Sequence, residues 1–177
     1  MKKLISILCV AALLTTTAIS ASAATINETT SNSSETTFSY SYKFDPTYTV
    51  TIPSEVTLTT EGSKVEIKAE NVNYLENKKV SVTIAGTDYF RNQMVLSGKT
   101  ETGSNCTMRY QFVMNDGKVI ETTGQKDQVN GVELAAFTEN GIKSFTAKPV
   151  LTATSSTKKG VTYTGTMTYS VSLVDLK

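Results

Sequence analysis

The feature that most constrains this chain is the alternation of apolar and polar residues along much of its length. Successive side chains of a β-strand point to opposite faces, so a period of two predicts a strand with one buried and one solvated face. The longest run has Thr or Ser at every intervening position and comprises Val161, Tyr163, Gly165, Met167, Tyr169, Val171 and Leu173. We expect a bend or bulge at Gly165.

Further alternating runs recur between turn residues. Their apolar positions include Val65, Ile67, Ala69, Val80, Val82, Ile84, Met94 to Leu96, Cys106, Met108, Tyr110, Phe112, Met114, Phe145, Ala147 and Leu151. About nine strands without intervening helices predict an all-β fold, a single antiparallel β-sandwich of immunoglobulin-like or pilin-like type.

Three local signals refine this prediction. Asp116-Gly117 is the strongest hairpin signal in the chain, because its residues suit the tight turn between antiparallel strands. Pro149 cannot donate a backbone hydrogen bond, which predicts that its strand lies at a sheet edge or contains a bulge. Val132 to Phe137 is the one segment that could form a helical turn, and it is too short to be stable alone.

The N-terminal part of the predicted domain is rich in aromatic residues. Phe38 to Phe44 alternates in strict period two and predicts a half-buried strand, which either closes its own sandwich or inserts into a neighbouring subunit. The short connection through Asp45-Pro46 favours its own sandwich. Tyr48 to Ile52 predicts the next strand, and Val56 and Leu58 resume the pattern after a proline.

The first residues have the features of a secretory signal peptide. A basic start at Lys2-Lys3 is followed by an apolar run from Leu4 to Leu14 and then by Ala21-Ser22-Ala23. This order predicts cleavage after residue 23. The apolar run is about half of the ~20 residues that cross a bilayer, so we expect no membrane span in the mature protein. Residues 24–37 are rich in Ser, Thr and Asn and predict a flexible leader, which leaves 38–177 as the β-sandwich domain.

Charge and cysteine content limit the partners. The chain has 17 Lys and Arg against 16 Asp and Glu, and loss of Lys2 and Lys3 leaves it within one charge of neutrality. A near-neutral chain has no electrostatic footprint for nucleic acid, so none is expected as a partner. Only Cys106 remains after signal cleavage, which excludes an intramolecular disulfide, and its alternating context predicts a buried core thiol.

The composition also argues against catalysis. The chain has no His, the usual acid and base near neutral pH and a common metal ligand. Its acids occur singly on alternating strands, which is typical of solvated strand faces. We therefore expect no enzyme activity, no catalytic residue and no cofactor. Asp127, Asn130 and Glu133 could offer oxygen ligands to Ca²⁺, but their spacing misses the known loop pattern and a polar hairpin loop is favoured, so no metal is expected.

Aromatic residues outside the alternating pattern are the candidates for ligand binding. Tyr74 lies in an Asn-rich turn, and Tyr89 and Phe90 are adjacent, so that a strand could bury only one of them. Stacking of aromatic rings on sugars is a common binding mode on sandwich folds. We therefore select Tyr74, Tyr89, Phe90 and Arg91 as a candidate ligand platform.

Three stretches resemble small secreted surface proteins of Firmicutes, namely Tyr48–Leu58, Val80–Tyr89 and Tyr163–Val171. The last, with its Tyr-Thr-x-Thr pattern, is also similar to the ends of WxL-type surface domains and of pilin-like sandwiches. The chain contains no Trp, so the motif by which WxL domains attach to peptidoglycan is missing. The resemblance implies an extracellular sandwich at a Gram-positive surface and carries over no binding residue.

Two functions follow as expectations. The first is a secreted, non-catalytic structural or adhesive protein of the cell surface, without a covalent anchor, that self-associates through edge strands. The alternative is a secreted carbohydrate-binding or inhibitory module that acts as a monomer. The expected partners are accordingly a surface glycan, a surface protein or further copies of the chain.

Overall fold

A computed structural model of the protein describes residues 36–124, 126–151 and 157–176. The chain divides into two units, Met1–Tyr42 and Lys43–Lys177, and only residues 36–42 of the first unit are described. The predicted signal peptide and the leader up to residue 35 lie outside the described residues. Within the described ranges, no helix is long and apolar enough to cross a bilayer.

The second unit has nine strands in its described part. They are β1 (Thr47–Thr51), β2 (Ser63–Asn73), β3 (Lys78–Thr87), β4 (Val95–Lys99), β5 (Asn105–Met114), β6 (Val119–Ile120), β7 (Glu133–Phe137), β8 (Gly141–Val150) and β9 (Met167–Asp175). One sheet has the order β1-β2-β8-β5-β4, with β6 also paired to β5, and the other has the order β7-β3-β9. All pairings are antiparallel. The predicted all-β antiparallel sandwich of about nine strands is confirmed.

The core forms where the inward faces of the two sheets meet. The alternating residues of β2 and β3 are almost completely buried: Val65, Ile67, Ala69, Val80, Val82 and Ile84. Phe112 packs in the same core, with its ring centroid 4.6 Å from that of Phe145 and 5.8 Å from that of Tyr110. Each large apolar side chain buried here contributes on the order of 1.5–3 kcal/mol to folding.

The hairpin predicted at Asp116-Gly117 is confirmed. β5 and β6 pair across it, with Val113 opposite Val119. Met114 N donates to Lys118 O at 2.8 Å, and Gly117 has a φ of 85°. That angle lies in the left-handed region, which glycine adopts without steric cost.

The prediction that the strand with Pro149 lies at a sheet edge or contains a bulge is wrong, because β8 is a central strand between β2 and β5 and its pairings with both show no irregularity. The position of Pro149 within β8 nevertheless explains how a central strand accommodates a residue without an N–H group. Tyr110, opposite Pro149, donates its N–H to Met94 O on the other side of β5, so the pair shares no hydrogen bond and the Pro149 nitrogen faces the β2 side. The β2 ladder ends at the pair Ser63–Ala147, so no ladder donor is needed at Pro149.

Val132 to Phe137, the segment that could have formed a helical turn, forms none. Glu133–Phe137 forms β7, which pairs with β3, and Leu134, Ala135 and Phe137 are buried. Ala135 and Leu134 are good helix formers, but pairing with β3 and burial in the core override that local preference.

The alternating runs near the two ends of the chain differ from their predictions, since one forms no strand and the other forms a shorter strand than expected. Residues 38–44 form no strand, and the rings of Phe38, Tyr40 and Tyr42 are exposed, so the predicted half-buried strand is wrong for the single chain. At the other end, β9 begins only at Met167, and the irregularity in its pairing lies opposite, between Ile84 and Gly86, instead of at Gly165.

Candidate binding groove

An apolar groove of about 1080 Å³ lies between the two sheets at the start of β9. Inward residues of both sheets form its walls, and residues 53–60 and 157–166 contribute to its rim. Its apolar side chains include Val56, Leu58, Val65, Leu96, Met108, Tyr110, Phe112, Pro149, Val161, Met167 and Tyr169. The charged side chains in its lining are Glu55, Lys158 and Lys159, all from the rim segments.

The free edge of β9 borders this groove. β9 pairs with β3 from Met167 to Asp175, and in the described part of the chain no strand pairs with its other side. Its inward residues Met167, Tyr169, Val171 and Leu173 contact the core but remain half-buried. An edge strand presents N–H and C=O groups that can pair with an added strand. The molecule therefore offers a backbone edge and an apolar cleft side by side.

The chain before β9 packs closely against β4. Ser97 and Thr164 exchange two backbone hydrogen bonds, with N–O distances of 2.8 and 2.9 Å. A Cβ atom placed on Gly98 would lie 2.7 Å from Val161 Cγ1, and one placed on Gly165 would lie 2.9 Å from Leu96 Cδ2. The two glycines thus permit the close approach that positions this rim of the groove.

Two tyrosines in the groove have altered acidity. Burial raises the pKa of Tyr110, and the neighbouring Tyr169 and Asp88 raise it further. Burial also raises the pKa of Tyr169. Both hydroxyls therefore stay protonated at neutral pH, and neither tyrosine brings a charge into the groove.

The four predicted ligand residues do not form one platform. Tyr74 follows β2 in the turn before β3, whereas Tyr89, Phe90 and Arg91 follow the opposite end of β3. The ten residues of β3 separate the two positions, a distance of roughly 30 Å at the rise of an extended strand. Tyr74 instead stacks on Phe44, with ring centroids 4.4 Å apart.

The turn at Phe90–Asn92 has an unusual backbone. Arg91 and Asn92 have φ angles of 56° and 53°, in the left-handed region that non-glycine residues seldom adopt. The Asn92 side chain holds the turn by accepting a hydrogen bond from Thr87 N at 3.2 Å. Phe90 is 69% exposed, and the Arg91 guanidinium carbon lies 5.3 Å from its ring centroid. This turn keeps Tyr89, Phe90 and Arg91 together as a smaller candidate site.

The loop considered for Ca²⁺ uses its carboxylates within the protein. Asp127 Oδ2 accepts hydrogen bonds from Thr123 N, Thr123 Oγ1 and Gly124 N, and the two backbone donors are the main causes of its lowered pKa. Glu133 lies instead on β7, where it binds Lys79 and Ser81. Among the described residues, no cluster of three or more His, Cys, Asp or Glu side chains could hold a metal ion.

The predicted burial of Cys106 is confirmed. Its thiol is free and buried, and it lines a second cavity of about 590 Å³ together with Tyr89 and Lys99. Tyr163 lies beside it, and its hydroxyl accepts a hydrogen bond from Lys158 N at 2.6 Å. Desolvation raises the pKa of Tyr163, and Cys106 contributes to the same direction.

No family model, no curated protein and no solved structure matches this chain. The groove is therefore defined by geometry alone. The alternation places Tyr110 and Tyr169 on the apolar faces of their strands, but it does not show that they share an open cleft. The alternation identifies the inward residues of β9, but it gives no sign of whether a further strand covers them.

Proposed function

We propose that this protein is a secreted, non-catalytic structural or adhesive protein of the cell surface that self-associates through exposed strand edges. The observation that carries the proposal is the free edge of β9 beside an apolar groove. Main-chain pairing at such an edge supplies affinity, and pockets for alternate side chains supply specificity. A cleft of this kind suits an extended apolar strand better than a small polar substrate.

Secretion and the absence of catalysis rest on the sequence. The signal-like residues before Ala24 support export, and the chain lacks His altogether. The carboxylates of Asp127 and Glu133, which sequence reasoning had considered as a cation site, are engaged by protein donors. These features support an extracellular role based on binding.

Size-exclusion chromatography with light scattering tests the self-association. The chain beginning at Ala24 should show a molar mass that rises with concentration and exceeds that of a monomer. N-terminal sequencing of the protein recovered from culture medium or the cell surface should begin at Ala24. A strictly monomeric chain at high micromolar concentration contradicts the self-association, and retention of the uncleaved N-terminus inside the cell contradicts the secretion.

The alternative, a monomeric carbohydrate-binding module, is favoured by one observation. The strained turn at Phe90–Asn92 holds an exposed aromatic ring next to a guanidinium group, a combination that can stack on and hydrogen-bond to a sugar. A glycan array tests it. Binding that is lost in Phe90→Ala and kept in Ile142→Ala, another exposed apolar position, would support this function; the absence of binding to any glycan contradicts it.

A further inference from the structure

The chain carries an exposed aromatic segment that it does not use as a strand. Residues 38–44 form no regular secondary structure, and Phe38 and Tyr40 are 92% and 84% exposed. The apolar residues alternate with Ser39, Ser41 and Lys43, so in a strand all four rings would project from one face. Contiguous exposed apolar surface of this kind is unfavourable in water and marks an interaction site.

The groove beside β9 has the complementary form. β9 is nine residues long, and its four inward residues, Met167, Tyr169, Val171 and Leu173, alternate with exposed Thr and Ser. A seven-residue strand with four inward rings fits within that length. Its backbone would extend the three-stranded sheet. Its rings would cover the inward face of β9 and enter the apolar groove where Met167 and Tyr169 line it.

We propose that residues Phe38–Phe44 of a second copy of this chain add to the free edge of β9 and place their aromatic side chains in the groove. This inference rests on the proposed self-association and names its donor and its acceptor. The donor supplies both things that the acceptor lacks in the described chain, a backbone partner for β9 and apolar cover for its half-buried face.

The stacking of Phe44 on Tyr74 favours a second copy over the same chain. Tyr74 lies in the turn that leads into Lys78, and Lys78 pairs with Asp175 at the C-terminal end of β9. If the segment from Phe38 to Phe44 ended there and added to β9 of its own chain, it would therefore run parallel to β9. Every strand pairing in the described part of the chain is antiparallel, and parallel pairing is slightly less stable per residue. The segment of a second copy is not tethered in this way and can add in the antiparallel direction.

This arrangement predicts a head-to-tail assembly. Each copy donates one segment and accepts one at a different surface, which is a heterologous contact. Such contacts generate open chains or closed rings. The protein would therefore grow as a polymer from identical subunits without any additional component.

A complementation experiment on the full chain from Ala24 tests the proposal. The donor variant Phe38→Ser/Tyr40→Ser keeps its groove, and the groove variant Met167→Glu keeps its donor segment. Each variant alone should remain monomeric by light scattering, and an equimolar mixture should form a heterodimer with one intact contact. The matched controls are Ser39→Ala/Ser41→Ala and Ser170→Glu, which change the outward phase of the same segments and should assemble like the unmodified chain. Thermal unfolding of every variant verifies that it is folded.

A synthetic peptide of residues 36–45 gives an independent readout. It should bind the donor variant in a 1:1 ratio, and Met167→Glu in the same background should weaken binding by about tenfold or more, because it places a charge in an apolar site. Assembly of the donor variant like the unmodified chain would overturn this inference but leave the proposed self-association intact. If the unmodified chain is monomeric and does not bind the peptide while the donor variant does bind it, the segment inserts into its own chain. That result would overturn the proposal that a second copy is the donor. A monomeric chain with no peptide binding in any variant would overturn both proposals.

Discussion

β3 and β9 are hydrogen-bonded neighbours with the same alternating pattern, yet their inward faces are buried to different depths. Val80, Val82 and Ile84 of β3 have no exposed surface. The inward residues of β9 from Met167 to Leu173 remain half-buried. β3 lies between β7 and β9, whereas β9 has a strand on one side only in the described chain. Alternation therefore identifies the inward face of a strand, and the position of the strand in its sheet decides how completely that face is covered.

The largest expected difference comes from a pair of valines that lie opposite each other. Val82 of β3 pairs with Val171 of β9. Val82→Ala should lower the free energy of unfolding by about 2–3 kcal/mol, because it removes two fully buried methyl groups and leaves a cavity. Val171→Ala should cost about 1 kcal/mol, because its site is partly solvated. Urea denaturation measures both values, and equal losses would contradict the comparison.

The same pair can be measured again in the assembled state. If an added strand covers β9, binding of the peptide of residues 36–45 should bring the loss of unfolding free energy caused by Val171→Ala close to that caused by Val82→Ala. A loss at Val171 that stays the same with and without bound peptide would mean that the peptide does not cover this face.

A second test concerns the contact that positions the groove rim. A Cβ atom on Gly98 would lie 2.8 Å from the backbone oxygen of Thr162, so Gly98→Ala must displace the segment before β9. We expect a loss of about 1–3 kcal/mol in unfolding free energy, the usual effect of overpacking. Gly141→Ala is the matched control, since nothing lies within 4 Å of its added carbon, and its effect should stay within about 0.5 kcal/mol. Equal losses at the two glycines would mean that the segment before β9 does not lie against Gly98.

A third test uses pH to examine the groove. Folding raises the pKa of Tyr110 and of Tyr169, so both bind their protons more tightly in the folded state. The stabilisation is complete below the unfolded value near 10 and is lost as the pH rises above it. The midpoint of urea unfolding should therefore fall above pH 10, and Tyr110→Phe should reduce that fall. A midpoint that is constant between pH 9 and pH 11 would contradict the burial of these hydroxyls.

Local patterns in the sequence predicted the strands whose signals are local. Val65 to Ala69 and Val80 to Ile84 are buried as their alternation indicated, and the Asp116-Gly117 turn forms where its residues favour it. β7 was missed because its pairing with β3 depends on residues some fifty positions away, for example Val80 opposite Phe137. Long-range pairing leaves no mark on the period of a short segment.

The candidate site was less accessible to sequence reasoning. Tyr74, Tyr89, Phe90 and Arg91 were grouped by residue type, and β3 separates the first from the other three. The groove depends on which strand of a sheet has no outer neighbour, a property of topology that alternation cannot express. The alternation from Phe38 to Phe44 predicted a half-buried strand, but these residues form no strand, and the rings of Phe38, Tyr40 and Tyr42 are exposed.

The smallest expected effect lies on the other side of β3, where β7 is bound. Glu133 of β7 accepts hydrogen bonds from Ser81 Oγ at 2.6 Å and from Lys79 Nζ at 3.0 Å. Burial alone would raise the pKa of Glu133, but these two hydrogen bonds and the charge of Lys79 together lower it. Because the ion pair is partly exposed and screened by solvent, it should contribute less than about 1 kcal/mol at neutral pH.

Glu133→Gln tests this contribution, because the amide oxygen can still accept from Ser81 while the charge is removed. A carboxylate whose pKa is lowered by folding stabilises the protein above its unfolded value of 4.5, and the stabilisation is lost as the pH falls through the lower folded value. The stability difference between the unmodified chain and Glu133→Gln should therefore be present at pH 7 and vanish in acid below pH 4.5. Glu66→Gln is the control, since its pair with Lys64 is largely exposed and its loss should not be measurable. A difference at Glu133 that persists unchanged at pH 3 would show that the charge of the carboxylate is not its cause.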